Sequence, residues 1–73
     1  MIFASKEDVS RCTLIVKEQL GKRGVGVADN ILKRITEDIM NISYSKGGDY
    51  SDKIIRSFAE TYIEEGFYEK YLR

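Results

Sequence analysis

Residues 28–44 read ADNILKRITEDIMNISY. The apolar side chains of this stretch recur at spacings of one, three, four and three residues: Ile31, Leu32, Ile35, Ile39 and Ile42. Such spacing places them on one face of an α-helix. Asp29 can be either the N-cap of this helix or its first residue. The stretch therefore predicts an amphipathic helix over residues 28–44 that buries one apolar face.

A first helix is predicted near residues 6–20. Ser5 precedes an acidic first turn in a capping-box pattern, with Asp8 in the position usually held by Glu or Gln. The stripe at helical spacing is Val9, Cys12, Thr13, Val16 and Leu20. Gly21 is a natural end for this helix. Leu14 and Ile15 lie off the stripe, and they either widen the buried face or form an interface. Residues 12–16 can alternatively be interpreted as a strand.

The third helix is predicted over residues 51–65, with Ser51 as its N-cap and a possible continuation to residue 71. Seven of the eight aromatic residues lie between Tyr44 and Tyr71. One helix of a short chain cannot bury so many rings, and tyrosine is enriched at interfaces. We therefore expect a partner surface formed by Phe58, Tyr62, Phe67 and Tyr71. The alternative is an ordinary core with scattered surface tyrosines.

Composition limits the class of protein. The 73 residues allow one domain, and 12 basic residues balance 12 acidic ones. A core this small gives marginal stability, and one cysteine with no histidine offers neither a disulfide nor a zinc site. Oligomerisation is the remaining source of stability, so we expect a homodimer. No apolar run is long enough to span a membrane, and the lone Cys12 suits a reducing, cytoplasmic setting.

The sequence offers little for catalysis. The absence of histidine removes the Ser-His and Cys-His nucleophile systems. The adjacent carboxylates Glu37-Asp38 and Glu64-Glu65 point about 100° apart on a helix, so neither pair forms an acid/base site or a metal clamp. We therefore expect no enzyme activity and no cofactor.

The segment Gly21-Lys22-Arg23-Gly24-Val25-Gly26 precedes a predicted helix N-terminus, where backbone N–H groups favour an anion. It matches neither the P-loop nor the dinucleotide fingerprint. Lys22 and Arg23 are expected either to contact a phosphate backbone or to belong to a flexible turn. Residues 1–27 carry five basic residues against three acidic ones, a small positive excess that suits the first alternative.

The order of a short apolar start, a four-turn helix ending at Gly21 and a second helix resembles the ribbon-helix-helix family of Met-repressor and Arc-type DNA-binding proteins. Lys6-Glu7-Asp8-Val9 and the segment 27–34 carry this resemblance. A second register also fits, with residues 22–32 as strand and helix start and residues 50–58 as the second helix. We prefer the first, because the second places Gly24 and Gly26 at base-reading positions.

The resemblance implies a mainly α fold with a short N-terminal β-strand and three helices, assembled as an intertwined homodimer. Residues 1–44 would form the dimerisation region, and residues 45–73 a connector and an added aromatic helix. The implied dimer interface comprises Met1, Phe3, Val9, Val16, Ile31, Ile35 and Ile39. The expected DNA contacts are Lys6, Lys22, Arg23, Gly26 and Val27.

The expected function is that of a small DNA-binding transcriptional regulator. Chain length, the added helix and a composition with few amide side chains are similar to those of thermophilic archaeal virus and plasmid proteins of this family. The alternative is a protein–protein interaction module that uses the third helix and does not bind DNA.

Overall fold

Three α-helices and one short 3-10 helix make up the fold of residues 4–72. The computed structural model describes residues 4–72, with α1 at Lys6–Lys22, α2 at Asp29–Ser45, α3 at Asp52–Glu64 and a C-terminal 3-10 helix at Phe67–Tyr71. The predicted mainly helical character is confirmed. The predicted N-terminal β-strand, and with it the ribbon-helix-helix fold, is wrong, because Ala4 and Ser5 lead directly into α1 and no strand occurs in the described range. Met1, Ile2 and Phe3 lie outside that range.

Helix α1 begins where the capping pattern predicts. The Ser5 hydroxyl accepts a hydrogen bond from the Asp8 backbone N–H at 3.1 Å. The end of α1 differs from the prediction, since Gly21 lies inside the helix and Gly24 has the left-handed conformation with φ +69°. The backbone N–H of Val25 donates to the Leu20 carbonyl at 3.0 Å, which completes a Schellman motif.

A second Schellman motif ends α2. Gly47 has φ +77°, a conformation that suits glycine, and the Gly48 N–H donates to the Ser43 carbonyl at 2.8 Å. The buried Ser43 hydroxyl also donates to the Asp49 carbonyl at 2.7 Å. These bonds fix the turn that sends α3 back along α2. Ser51 occupies the predicted N-cap position of α3, but its side chain makes no capping hydrogen bond.

The core lies between the three helices of one chain. It is formed by Cys12, Ile15, Val16, Leu20, Leu32, Ile35, Ile39, Met40, Ile55, Ala59, Tyr62 and Ile63. Helix α3 packs against both α1 and α2. It therefore covers the apolar stripes that the intertwined arrangement assigned to a second chain, which is the physical reason why the ribbon-helix-helix prediction is wrong.

The two off-stripe residues of α1 have different environments. Ile15 is 5% exposed and belongs to the core, whereas Leu14 is 68% exposed. The segment 12–16 is helical, so the alternative interpretation of it as a strand is wrong. Within residues 4–72, no helix is both long enough and apolar enough to cross a membrane.

Candidate functional site

A groove runs along the outer face of the α2–α3 pair, and the C-terminal 3-10 helix forms part of its wall. It consists of two adjoining hollows of about 420 and 230 Å³ that share Ile42, Tyr62 and Phe67. Asp38 and Lys70 line the larger hollow. No residue of α1 lines either one, so the groove lies away from the face that α1 covers.

The spacing of α2 explains why it serves both the core and the groove. Asp38, Ile42 and Lys46 follow one another at four-residue intervals and line the groove. Ile35 and Ile39, on a neighbouring stripe, are fully buried in the core. Helix α2 therefore presents two adjacent faces, one to the interior and one to the groove.

Phe67 is the most exposed ring of the groove, with 54% of its surface accessible. Its ring meets that of Tyr62 edge to face, with the centroids 5.7 Å apart and the planes at 64°. Tyr62 itself is only 3% exposed. The groove therefore has a rigid aromatic floor and a half-exposed ring beside it.

Three donors converge on one carboxylate oxygen at one end of the groove. Asp38 Oδ2 accepts hydrogen bonds from the hydroxyls of Tyr62 at 2.8 Å and Tyr71 at 2.6 Å. The Lys70 ammonium lies 3.1 Å from the same oxygen. Because Tyr62 belongs to α3, and Lys70 and Tyr71 to the 3-10 helix, this cluster ties both segments to α2. We call these four residues the Asp38 cluster.

Hydrogen bonding decides the charge state of the Asp38 cluster. Burial favours the protonated acid, but the bonds from Tyr71, Tyr62 and Lys70 together outweigh burial and hold the pKa of Asp38 below its usual value. Burial and the bond to Asp38 raise the pKa of Tyr62. The bond to Asp38, followed by burial, raises the pKa of Tyr71. At neutral pH the cluster therefore holds an ionised carboxylate and two neutral phenols.

The residues predicted as a partner surface gather at this groove. Phe58, Tyr62 and Phe67 line it, whereas Tyr71 lines neither hollow and is connected to the groove through its hydrogen bond to Asp38. The contribution of α2 was missed, although the four-residue spacing of Asp38, Ile42 and Lys46 could have indicated a second face of this helix.

The residues predicted to contact DNA do not form one patch. Lys22 lies 3.9 Å from Glu18, and Arg23 lies 3.9 Å from Glu64. Lys6 is at the opposite end of α1 from Lys22. Sixteen residues of helix at the usual rise separate the two by about 24 Å, which is most of the 28 Å length of the molecule. Gly26 and Val27 lie in the connector before α2 and line a separate hollow beside Leu20 and Leu32. Lys6 is therefore remote from the other four residues, which lie within residues 22–27, and Lys22 and Arg23 lie near carboxylates.

The residues predicted to form the dimer interface lie inside the chain wherever they are described. Val16, Ile35 and Ile39 are fully buried, and Val9 and Ile31 are partly buried against the core. Met1 and Phe3 are outside the described residues. The homodimer stays a prediction, and a dimer that preserves this bundle needs other residues at its interface.

Groups suited to metal binding or nucleophilic chemistry are scarce in the described part of the chain. Residues 4–72 contain no cluster of three or more His, Cys, Asp or Glu side chains able to hold a metal ion. The Cys12 thiol is fully buried, and burial raises its pKa.

The chain matches no protein-family model, no curated protein and no solved structure. The resemblance to ribbon-helix-helix proteins gains no support from these comparisons.

Proposed function

We propose that this protein is a protein–protein interaction module that binds its partner through the α2–α3 groove. The observation that carries the proposal is Phe67, a ring that is 54% exposed beside an apolar groove. Interface hot spots are commonly aromatic side chains set in a pocket at the centre of a contact. Catalysis plays no part in this proposal.

Covering Phe67 with a partner would contribute enough free energy to affect binding. An aromatic side chain buries about 150–250 Å² when fully covered, so covering its exposed half removes roughly 100 Å² from water. At about 25 cal/mol per Å² this contributes roughly 2.5 kcal/mol. That value is in the range that distinguishes hot spots from other contacts.

The charge distribution supports a protein partner over DNA. The net charge is zero, and overall neutrality gives little of the counterion release that drives non-specific DNA binding. Lys22 and Arg23 lie near Glu18 and Glu64. The DNA-binding regulator stays a prediction, which titration with duplex DNA tests.

A reducing cytoplasm is the location we propose, since Cys12 is the single cysteine of the chain.

Site-specific photocrosslinking tests the interaction proposal. Phe67 is replaced by p-benzoylphenylalanine in the full chain, and Leu14, which is 68% exposed on α1, receives the same replacement as a matched control. We expect a discrete crosslinked protein from position 67 and none from position 14. The crosslinked protein is then identified, purified and titrated against the wild type, Phe67→Ala and Leu14→Ala by calorimetry.

The expected result is a loss in affinity of at least about tenfold for Phe67→Ala, equivalent to about 1.4 kcal/mol, with Leu14→Ala unchanged. The proposal is refuted if position 67 yields no crosslink, or if the two alanine variants lose affinity equally. Anisotropy titrations of labelled duplex DNA at about 50 and 200 mM salt run in parallel. Salt-sensitive binding that is lost in Lys22→Ala/Arg23→Ala and kept in Phe67→Ala favours the DNA-binding regulator instead.

A further inference from the structure

We propose that the groove accepts a short amphipathic helix whose flank carries acidic side chains. This inference rests on the proposed interaction function and specifies the partner for the same site. Three features support it: the path of the groove along two helices, its length, and the sign of the charge at the end where Lys46 lies.

The path of the groove suits a helix. Helices α2 and α3 run antiparallel, since Lys46 and Phe58 line one end of the groove while Asp38 bonds Tyr62 at the other. Helix α1 packs on one side of this pair, and the groove lies on another. A partner helix in the groove therefore completes a four-helix arrangement, in which side-chain ridges of one helix pack into grooves between others.

The length of the groove selects a short helix. Asp38 and Lys46 mark its two ends, eight residues apart on α2, or about 12 Å and just over two turns. A helix of that length presents apolar anchors at positions i, i+3 or i+4, and i+7 along one face. The two hollows, on either side of Ile42 and Tyr62, offer separate sites for such anchors.

The charge at the groove favours acidic flanks. Lys46 is exposed and forms no ion pair with any residue in the range 4–72. Asp38, the acidic residue that lines the groove, is ionised, and the Lys70 ammonium balances its charge while two neutral phenols donate hydrogen bonds to it. The exposed hydroxyl side chains of Ser57 and Thr61 on the α3 wall add further hydrogen-bonding groups. Among the residues that line the two hollows, the net charge is therefore positive, and the unbalanced charge is that of Lys46.

The other acidic residues of α2 and α3 do not line the groove. Asp29 lines the hollow beside Leu20, and Asp52 forms an ion pair with Arg11. Glu60 and Glu64 line a different hollow, beside Lys22 and Arg23 at the α1 side of α3. Glu37 lines another hollow, between α1 and α2. Their charges do not oppose an acidic partner at Lys46, and complementary charge selects the partner and fixes its register.

Selection from a random peptide library tests this inference even while the partner is unidentified. Peptides of about 16 residues, long enough to form the two-turn contact with flanks, are displayed on phage and selected on the full chain and on Phe67→Ala. We expect peptides that require Phe67, with apolar residues at helical spacing and Asp or Glu beside them. Helix formation on binding is measured by circular dichroism on a synthetic copy of the selected peptide.

Charge variants of the full chain then test whether the flank of the bound helix is acidic. Lys46→Glu is expected to weaken the selected acidic peptide by at least about fivefold, whereas Lys17→Glu, an equal change at an exposed site outside the groove, leaves affinity unchanged. Thr61→Glu, an exposed substitution that removes no aromatic packing, gives a second variant with the same expected loss. Thermal melts of each variant confirm that the bundle remains folded.

The outcomes separate this inference from the proposed function. Selected peptides that require Phe67 but are basic, uncharged or bound in an extended form overturn the acidic helix while leaving the interaction function intact. A loss in Lys17→Glu equal to that in Lys46→Glu overturns the assignment of the charge to this groove. If no selected peptide requires Phe67, the acidic helix is overturned, and the crosslinking result decides independently whether the interaction function stands.

Discussion

Replacing Asp38 with asparagine removes the charge at the centre of the Asp38 cluster while keeping the shape of the side chain. An amide oxygen can still accept hydrogen bonds from Tyr62 and Tyr71, but those bonds lose their ionic component. The ion pair with Lys70 is lost as well. The substitution therefore isolates what the negative charge contributes to holding the 3-10 helix against α2.

The size of the effect follows from the three contacts. Hydrogen bonds to a charged group contribute about 1.5–3 kcal/mol and neutral ones about 0.5–1.5 kcal/mol, so each phenol loses roughly 1 kcal/mol. The Lys70 side chain is 59% exposed, and its exposed ion pair adds little. Relief from burying the carboxylate offsets part of the loss. We expect Asp38→Asn to destabilise the fold by about 1–2 kcal/mol, or about 5–15 °C in Tm for a domain of this size.

The pH dependence provides a more specific signature. The pKa of Asp38 is lower in the folded protein than its usual value. Such a group contributes stability that is present above its unfolded pKa, about 3.9, and is lost as the pH falls through the folded pKa. The difference in unfolding free energy between wild type and Asp38→Asn is therefore largest near neutral pH. It declines in acid, once the wild-type carboxylate is protonated.

Urea denaturation followed by far-UV circular dichroism, at pH values from about 7 down to about 2, measures this difference. Tyr71→Phe completes a double-mutant cycle, with an expected coupling of about 1 kcal/mol to Asp38→Asn. Tyr68→Phe, a neighbouring substitution outside the Asp38 cluster, is the control and should change stability by less than about 0.5 kcal/mol. A difference below about 0.5 kcal/mol at neutral pH, or one that is independent of pH, would show that the charge does not stabilise the fold.

Further predictions concern packing and turns. Ile39 is fully buried, so Ile39→Ala should cost about 2–5 kcal/mol in urea denaturation; the exposed Leu14→Ala should cost less than about 0.5 kcal/mol, and similar losses at both positions would contradict the assigned core. A Cβ on Gly48 would lie 2.8 Å from Ser43 Oγ and 3.1 Å from the Ser43 carbonyl oxygen, so Gly48→Ala should destabilise by about 1–3 kcal/mol. A Cβ on Gly26 would meet no atom within 4 Å, so Gly26→Ala should be neutral or stabilise the fold by up to about 1 kcal/mol. Thermal melts in which Gly26→Ala is less stable than Gly48→Ala would contradict the turn geometry.

Local signals in the sequence predicted the helices well and their ends less well. The Ser5 cap and the periodic stripe of α2 led to helices whose bounds differ from the prediction by a few residues at most. Gly21 was predicted to end α1, but the helix continues to Lys22, and Gly24 is the glycine that adopts the left-handed conformation common at helix ends. Several glycines close together in the sequence cannot indicate which one adopts it.

The groove could be predicted only in part. The density of aromatic residues after Tyr44 predicted a partner surface, which stays a prediction. Of its four residues, Phe58, Tyr62 and Phe67 line the groove, and Tyr71 does not. The role of Asp38 could not be read from its neighbours, because Tyr62 and Tyr71 are 24 and 33 residues away in sequence. In the sequence, Asp38 has the pattern of a solvated carboxylate beside Glu37.

The sequence by itself determined that this is a small helical protein with three amphipathic segments, because helical periodicity and helix starts are encoded within a few neighbouring residues. The tertiary structure alone decided which chain covers the apolar stripes of α1 and α2. An apolar stripe predicts that one face of a helix is buried. It does not indicate whether the helix that covers this face belongs to the same chain or to a second one. Here α3 covers them, which leaves the groove beside Phe67 as the open surface of the α2–α3 pair.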